Sequence, residues 1–187
     1  MADLIGADLA TRTLPLSGFH GGSGAASLSV AAPATRISLR AKPDALAALS
    51  SALGLSLPVK AKTSTSADGR HALWLGPDEW LVIDENEADL MAAVASSNVL
   101  HSATDISHRN TALIVKGRGA EVAINGGCPQ DLSLAAFPVG ACSRTVLAKA
   151  EIVLLRTAED TFRVECWRSF SPYVSTLLAE AAEDAGN

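Results

Sequence analysis

Leu73 to Ala95 read LWLGPDEWLVIDENEADLMAAVA, and Val153 to Ala181 read VLLRTAEDTFRVECWRSFSPYVSTLLAEA. Side by side, the two stretches share one plan: apolar strand, acidic turn, apolar strand, amphipathic helix. In the first, HALWL and EWLVI are joined by Gly76-Pro77-Asp78-Glu79, which has the proline and aspartate of a tight turn. Ala88 to Ser96 then form a short amphipathic helix. In the second, EIVLLRT and TFRVECW flank Glu159-Asp160, and Ser171-Pro172 open a helix with Val174, Leu177, Leu178 and Ala181 at i, i+3, i+4, i+7. The repeated plan predicts an α+β fold of two similar split β-α-β lobes whose sheets face one another or join.

The rest of the chain fits around these units. SLSVA and RISLR (Arg36 to Arg40) alternate like strands, and Pro43 opens a helix with Leu46, Leu49 and Leu53 on one face and Gly54 as its stop. Thr104 to Ser107, TALIVKG and RTVLAKA read as further strands and GAEVAING as a short helix. Lobe one then covers about residues 28–103 and lobe two about 104–187, one duplicated unit over 28–187. Residues 1–27 end in HGGSGAAS, which has no periodicity and reads as a flexible or draped arm.

Composition removes several function classes. With 15 Lys+Arg against 20 Asp+Glu in 187 residues, the net charge of -5 gives no electrostatic reason for nucleic acid or anionic lipid as partner. The start of the chain lacks a basic region followed by an apolar run, and no stretch reaches the roughly 18 apolar residues that span a bilayer, so the expected location is the cytoplasm. Three widely spaced cysteines, Cys128, Cys142 and Cys166, read as reduced, partly buried small hydrophobes. Charged residues are 19% of the chain, below the roughly 25% of ordinary soluble domains, while 48% are hydrophobic. Alanine supplies much of that excess, yet part of it should lie on the surface, where a large apolar patch marks contact with another protein.

No constellation builds an active site. Asp78 and Glu79 are neighbours whose side chains diverge on an extended backbone, and the second acidic pair also lies in a turn; both read as solvated turn residues, not an acid/base pair. In DISHRN (Asp105 to Asn110) Asp, Ser and His are too close in sequence to converge as a hydrolytic triad. Lys116 to Val122, KGRGAEV, follow a strand and open a helix, but Val122 replaces the third glycine of a dinucleotide fingerprint, leaving Gly117 and Gly119 as a turn. A Cys128–His108 nucleophile pair stays open, although a cysteine before proline more often packs. His20, His71, His101 and His108 have no metal-ligand spacing. Trp74 and Trp80 flank the first acidic turn, and each reads equally as core or as interface anchor.

Several stretches together resemble one family: LWLGPDEWLV, DISHRNTALIVKGRGAEVAINGGCPQDL, FPVG with CSRTVLAKAEIVLLR, and RSFSPYVSTLLAEA are similar to the gamma subunit of bacterial heterotetrameric sarcosine oxidase. The likeness runs from about Leu73 to Ala182, with NGGCPQDL (Asn125 to Leu132) and RSFSPY (Arg168 to Tyr173) its most specific parts. It implies a fold like the folate-binding part of the glycine-cleavage aminomethyltransferase. It also implies membership in an alpha, beta, gamma, delta complex that oxidises sarcosine to glycine and hydrogen peroxide and passes the one-carbon unit to tetrahydrofolate as methylenetetrahydrofolate. By the same resemblance FAD, FMN and NAD sit in the alpha and beta chains, zinc in delta and the folate site in alpha. This chain then carries no cofactor, metal or catalytic residue of its own. Trp80, Arg109, Trp167 and Arg168 are its candidate contacts with the sister subunits. The competing readings are a stand-alone tetrahydrofolate-binding one-carbon transferase and an adaptor subunit of another amine dehydrogenase.

Overall fold

The computed structural model describes residues 14–186. Eleven strands and four helices alternate along them: β1 His20–Gly22, β2 Ser27–Val30, β3 Thr35–Ala41, α1 Leu46–Leu53, β4 Ser64–Ala67, β5 Arg70–Gly76, β6 Glu79–Asp84, α2 Leu90–Ala95, β7 His101–Asp105, β8 Asn110–Lys116, α3 Ala120–Asn125, β9 Cys142–Leu147, β10 Ala150–Ala158, β11 Thr161–Trp167 and α4 Ser171–Asp184. They form two antiparallel sheets, one ordered β4-β5-β6-β3-β7 and the other β1-β2-β8-β11-β10-β9. The α+β architecture read from sequence is the one observed.

Side-chain parity explains how the sheets stack. Strand β6 is buried at every position because its neighbours in sequence serve different layers. Trp80 and Val82 pack with Leu49 and Leu53 of α1 and Leu90 and Val94 of α2. Leu81 and Ile83, pointing the other way, meet Val153 and Leu155 of β10. On the far side, Ile152 and Leu154 of β10 and Phe162 and Val164 of β11 join Ile124 of α3 and Val174 and Leu178 of α4. The layers run helices, sheet, sheet, helices, so β6 and β10 are apolar on both faces and lose the simple inside-outside alternation, whereas β3 and β11 turn Arg36, Arg163 and Glu165 toward the other sheet.

Local chemistry sets the helix ends. Gly54 stops α1 in the left-handed conformation at φ 63°, which costs glycine nothing, and its N–H returns to Ser50 O. Asp89 caps α2 by accepting from Ala92 N at 2.9 Å. The inward row of α4 is Val174, Leu178 and Ala182, with Leu177 and Ala181 flanking it half-buried.

The sheets also join along one border: Ser64 N donates to Gly140 O at 2.9 Å and Cys142 N to Lys62 O at 3.1 Å. β3-α1-β4-β5-β6-α2 and β8-α3-β9-β10-β11-α4 have matching strand neighbours. They differ at the opposite border, where the second sheet also carries β1 as an extra edge strand. Beside β3 lies β7, whereas the equivalent place beside β8 is taken by β2, from the opposite end of the sequence. The element divide therefore departs from the expected 28–103 and 104–187, because β2 belongs to the second sheet and β7 extends the first to Asp105.

Other expectations change in detail. Residues 1–13 of the expected arm lie outside the described residues, but the part that follows is not a free arm. β1 pairs with β2 as an edge strand, and Ser23 Oγ donates to Ala182 O at 2.6 Å, tying this segment to α4. RTVLAKA is not one strand: Ala148, at φ 49°, turns the chain between β9 and β10. The expected strand at 104–107 ends at Asp105, after which Arg109 and Asn110 N–H both bond Ile106 O in a turn. Strand β4 was not anticipated; its SerThrSerAla sequence is polar and it forms a sheet edge.

Candidate interaction surface

Three of the four candidate contacts converge. Arg109 ends the turn after β7, and Trp167 ends β11, which pairs with β8 so that Trp167 lies opposite Asn110. Arg168 N donates to Arg109 O at 2.7 Å and locks the two strand ends together. The Arg109 guanidinium lies over the Trp167 ring, 4.2 Å from its centroid. The next turn adds Phe170, whose ring centroid is 6.0 Å from that of Trp167, and Tyr173 follows in the first turn of α4. Trp167, Phe170 and Tyr173 are 38%, 39% and 41% exposed. In a chain with only three Trp, four Phe and one Tyr, the contacting Arg109, Trp167 and Phe170 form an organised patch rather than scattered surface, with exposed Tyr173 close by in sequence.

Trp80 is a correction. It is 1% exposed, and its indole N–H donates to Pro58 O at 2.7 Å inside the layer between the first sheet and its helices. A side chain so placed reaches no partner; it belongs to the core. Sequence reasoning missed Phe170 and Tyr173, although RSFSPY carried the signal.

Beside the patch, the two sheets part into a cleft of about 250 Å³ lined by Leu75, Leu81, Ile106, Asn110, Arg144 and Trp167, among others. Its carboxylates are all but one neutralised. Glu165 of β11 accepts from Arg36 Nε of β3 and from Arg163 Nε of its own strand, both at 2.8 Å. Arg163 continues to Glu85 at 2.5 Å. Glu79 accepts from Arg40 Nη2 at 2.9 Å and from Arg144 of β9. Glu151, at the margin, is exposed. Glu79 is thus a second correction: it is no solvated turn residue but a 9% exposed clamp between the sheets. The Glu159–Asp160 pair is exposed in its turn as expected.

The remaining motifs are structural. The Ser107 hydroxyl is held by Asp105 at 2.5 Å and by the Arg36 backbone N–H at 2.8 Å, a turn device beside exposed His108. Gly119 N donates to Ala25 O and Gly117 N to Asp160 O, so these amides serve the fold instead of cradling a phosphate. At Gly117, φ is 130° and a Cβ would lie 2.3 Å from Ala25 O, which is why glycine stands there. Asp84 is fixed by Arg70 Nε at 2.6 Å and by the N–H groups of Asn86 and Ala88. Burial works to raise its pKa, but the Arg70 hydrogen bond and these amides outweigh it, so the carboxyl lies below its ordinary value.

Burial pushes the Cys142 thiol up to about 12, and burial with the adjacent Glu165 charge does the same for Cys166. Since the thiolate is the nucleophile, neither is reactive near neutral pH. An aromatic disulfide reagent at pH 8 should therefore label Cys142 and Cys166 only as fast as the chain unfolds; stoichiometric labelling of the native chain within seconds would contradict the buried placement.

Arg156, wholly buried, supports the loop between α3 and β9: its Nη2 donates to Leu132 O at 2.5 Å and to Glu121 at 3.0 Å, while the guanidinium lies 4.4 Å from the Phe162 ring centroid. This holds the NGGCPQDL stretch against the second sheet.

Residues 38–184 match the model of the sarcosine oxidase, gamma subunit family. Among curated proteins, the chain is 31% identical over 167 residues to sarcosine oxidase subunit gamma of Corynebacterium sp. (strain P-1), covering 87% of this chain and 82% of that protein. It is 34% identical over 149 residues to sarcosine oxidase subunit gamma of an Arthrobacter species, covering 76% and 72%. Among solved structures, it is similar to a chain of the heterotetrameric sarcosine oxidase from Corynebacterium sp. U-96 in complex with pyrrole 2-carboxylate, with TM-score 0.83, 28% identity and 89% of each chain covered. The glycine cleavage system aminomethyltransferase T from Bartonella henselae shares the fold, with TM-score 0.58 at 13% identity over 81% of this chain and 44% of that one.

Proposed function

The chain belongs to the sarcosine oxidase gamma subunit family, and from that premise we propose that it is the non-catalytic gamma subunit of a heterotetrameric sarcosine oxidase, assembled with alpha, beta and delta subunits. The complex oxidises sarcosine to glycine with formation of hydrogen peroxide and hands the one-carbon unit to tetrahydrofolate as methylenetetrahydrofolate. FAD, FMN and NAD belong to the alpha and beta chains, zinc to delta and the folate to alpha. Each half of this chain is built on a split β-α-β unit, with β4 added in the first and β9 and β1 added in the second. No helix among the described residues is long and apolar enough to cross a membrane, and we place the complex in the cytoplasm.

The observation that carries this reading is the convergence of Arg109, Trp167 and Phe170 into one exposed cluster at the end of β11. Tryptophan and arginine dominate binding energy at interfaces, and a stacked arginine–aromatic group is preorganised, so little side-chain entropy remains to be lost on docking. The gamma chain contributes by burying this face against a sister subunit, and its inter-sheet ion pairs hold the face rigid.

Two measurements on purified material test this. The chain expressed alone should be colourless, should consume no oxygen with sarcosine, and should show no heat of tetrahydrofolate binding. Expressed with alpha, beta and delta it should co-purify in a yellow complex that consumes oxygen with sarcosine. Turnover or folate binding by the lone chain would establish the one-carbon transferase reading instead, and co-purification with a different amine dehydrogenase the adaptor reading.

A further inference from the structure

Arg36, Arg40, Arg70, Arg144, Arg156 and Arg163 each face a carboxylate within the chain. Arg109 and Arg118 differ, having no carboxylate partner among the described residues, and of these two it is Arg109 that the Trp167 ring holds in place on the exposed patch. An arginine stacked on an aromatic ring keeps its in-plane N–H donors for a bidentate acceptor, and that fork matches a carboxylate. Phe170 and Pro172, both exposed, stand beside the stack and supply the apolar surround that shields a charge pair from water. The whole chain carries a net charge of -5, so an acidic partner meets repulsion over most of the surface and attraction here.

Resting on the docking-face reading above, we infer that Arg109 seats an aspartate or glutamate carboxylate from an acidic segment of the neighbouring subunit, with Trp167 and Phe170 covering the ion pair. The pair selects the register of docking: the aromatic contacts supply area, and the fork accepts one carboxylate in one orientation.

The test titrates wild-type, Arg109→Gln, Arg109→Lys and Trp167→Ala chains against the alpha-beta-delta assembly at low and high salt. Arg109→Gln should bind about 30-fold or more weakly, mostly through faster dissociation, and its association rate should lose part of the wild type's salt dependence. Arg109→Lys should recover part of the loss, because an ammonium keeps the charge without the fork. In that variant a zero-length carbodiimide should couple the introduced amine to an acidic residue of the partner, and wild-type chain in excess should suppress the product. Wild-type affinity for Arg109→Gln alongside a large loss for Trp167→Ala would overturn the acidic partner while leaving the docking face standing. Wild-type affinity for both would remove the face itself. Thermal unfolding of each variant checks that the exposed substitutions leave the fold intact.

Discussion

Glu165→Gln should lower the stability of the isolated chain by about 3–5 kcal/mol, the range for breaking a buried ion pair by removing one partner. The Glu165 side chain is 1% exposed, and the Arg36 and Arg163 side chains that share it are 4% and 2% exposed. With the charge gone, Arg163 keeps Glu85, whereas Arg36 is left with the Ala34 carbonyl, 3.0 Å from its Nη1. One guanidinium then lies between two sheets without a counterion, and desolvation makes that costly. Since domains are stable by only about 5–15 kcal/mol, the loss is a large share of the total. Replacing Arg36 and Glu165 together by methionines should recover most of it, because the burial cost of the charges goes with them. Urea unfolding followed by circular dichroism reads both outcomes. A shift below about 1 kcal/mol for Glu165→Gln, the range of surface pairs, would mean that the charges between the sheets are screened as surface charges are.

Trp80→Ala should cost about 3–5 kcal/mol, as expected for a large aromatic deleted from a closed core. The indole packs among Ile37, Leu39, Leu49 and Leu53, and its lost hydrogen bond leaves Pro58 O without a buried donor. The denaturation midpoint should fall with little change in slope, because the unfolded chain exposes nearly the same surface. Weaker assembly at unchanged monomer stability would instead restore Trp80 to the surface and contradict the packing.

These two residues also mark where sequence reading succeeded and where it stopped. The hairpins β5–β6 and β10–β11, with the helices that follow, are legible because acidic turns join the strands and because Asp89 before α2 and Pro172 at the start of α4 mark the helix openings. Which face each strand residue serves was not. In EWLVI every position after Glu79 is apolar, so parity alone leaves Trp80 free to join either layer; only the cover on both faces of the sheet decides it. Likewise Arg163 and Glu165 lie two apart on one strand, and only the second sheet lying on them makes them part of a buried ion-pair network. The place of β2 beside β8 was hidden for another reason: a four-residue strand carries no record of its partner.

The candidate site divides the same way. Arg109, Trp167 and Arg168 were named from residue type, and the pairing of β8 with β11 is what brings them together. Phe170 and Tyr173 lay in the same RSFSPY stretch, but their exposure follows from where the short turn at 168–170 enters α4. The acidic pair 78–79 was read from turn chemistry that holds for Asp78, whose side chain is 59% exposed, and fails for Glu79, which reaches across to β9.

The most direct measurement compares the affinity of wild-type and Trp167→Ala chains for the alpha-beta-delta assembly, with sarcosine-dependent oxygen uptake recorded on the same mixtures. A docking face centred on Trp167 requires a loss of at least about 2 kcal/mol, roughly 30-fold, with an unchanged melting temperature for the free chain. Full affinity and full activity for Trp167→Ala would contradict it.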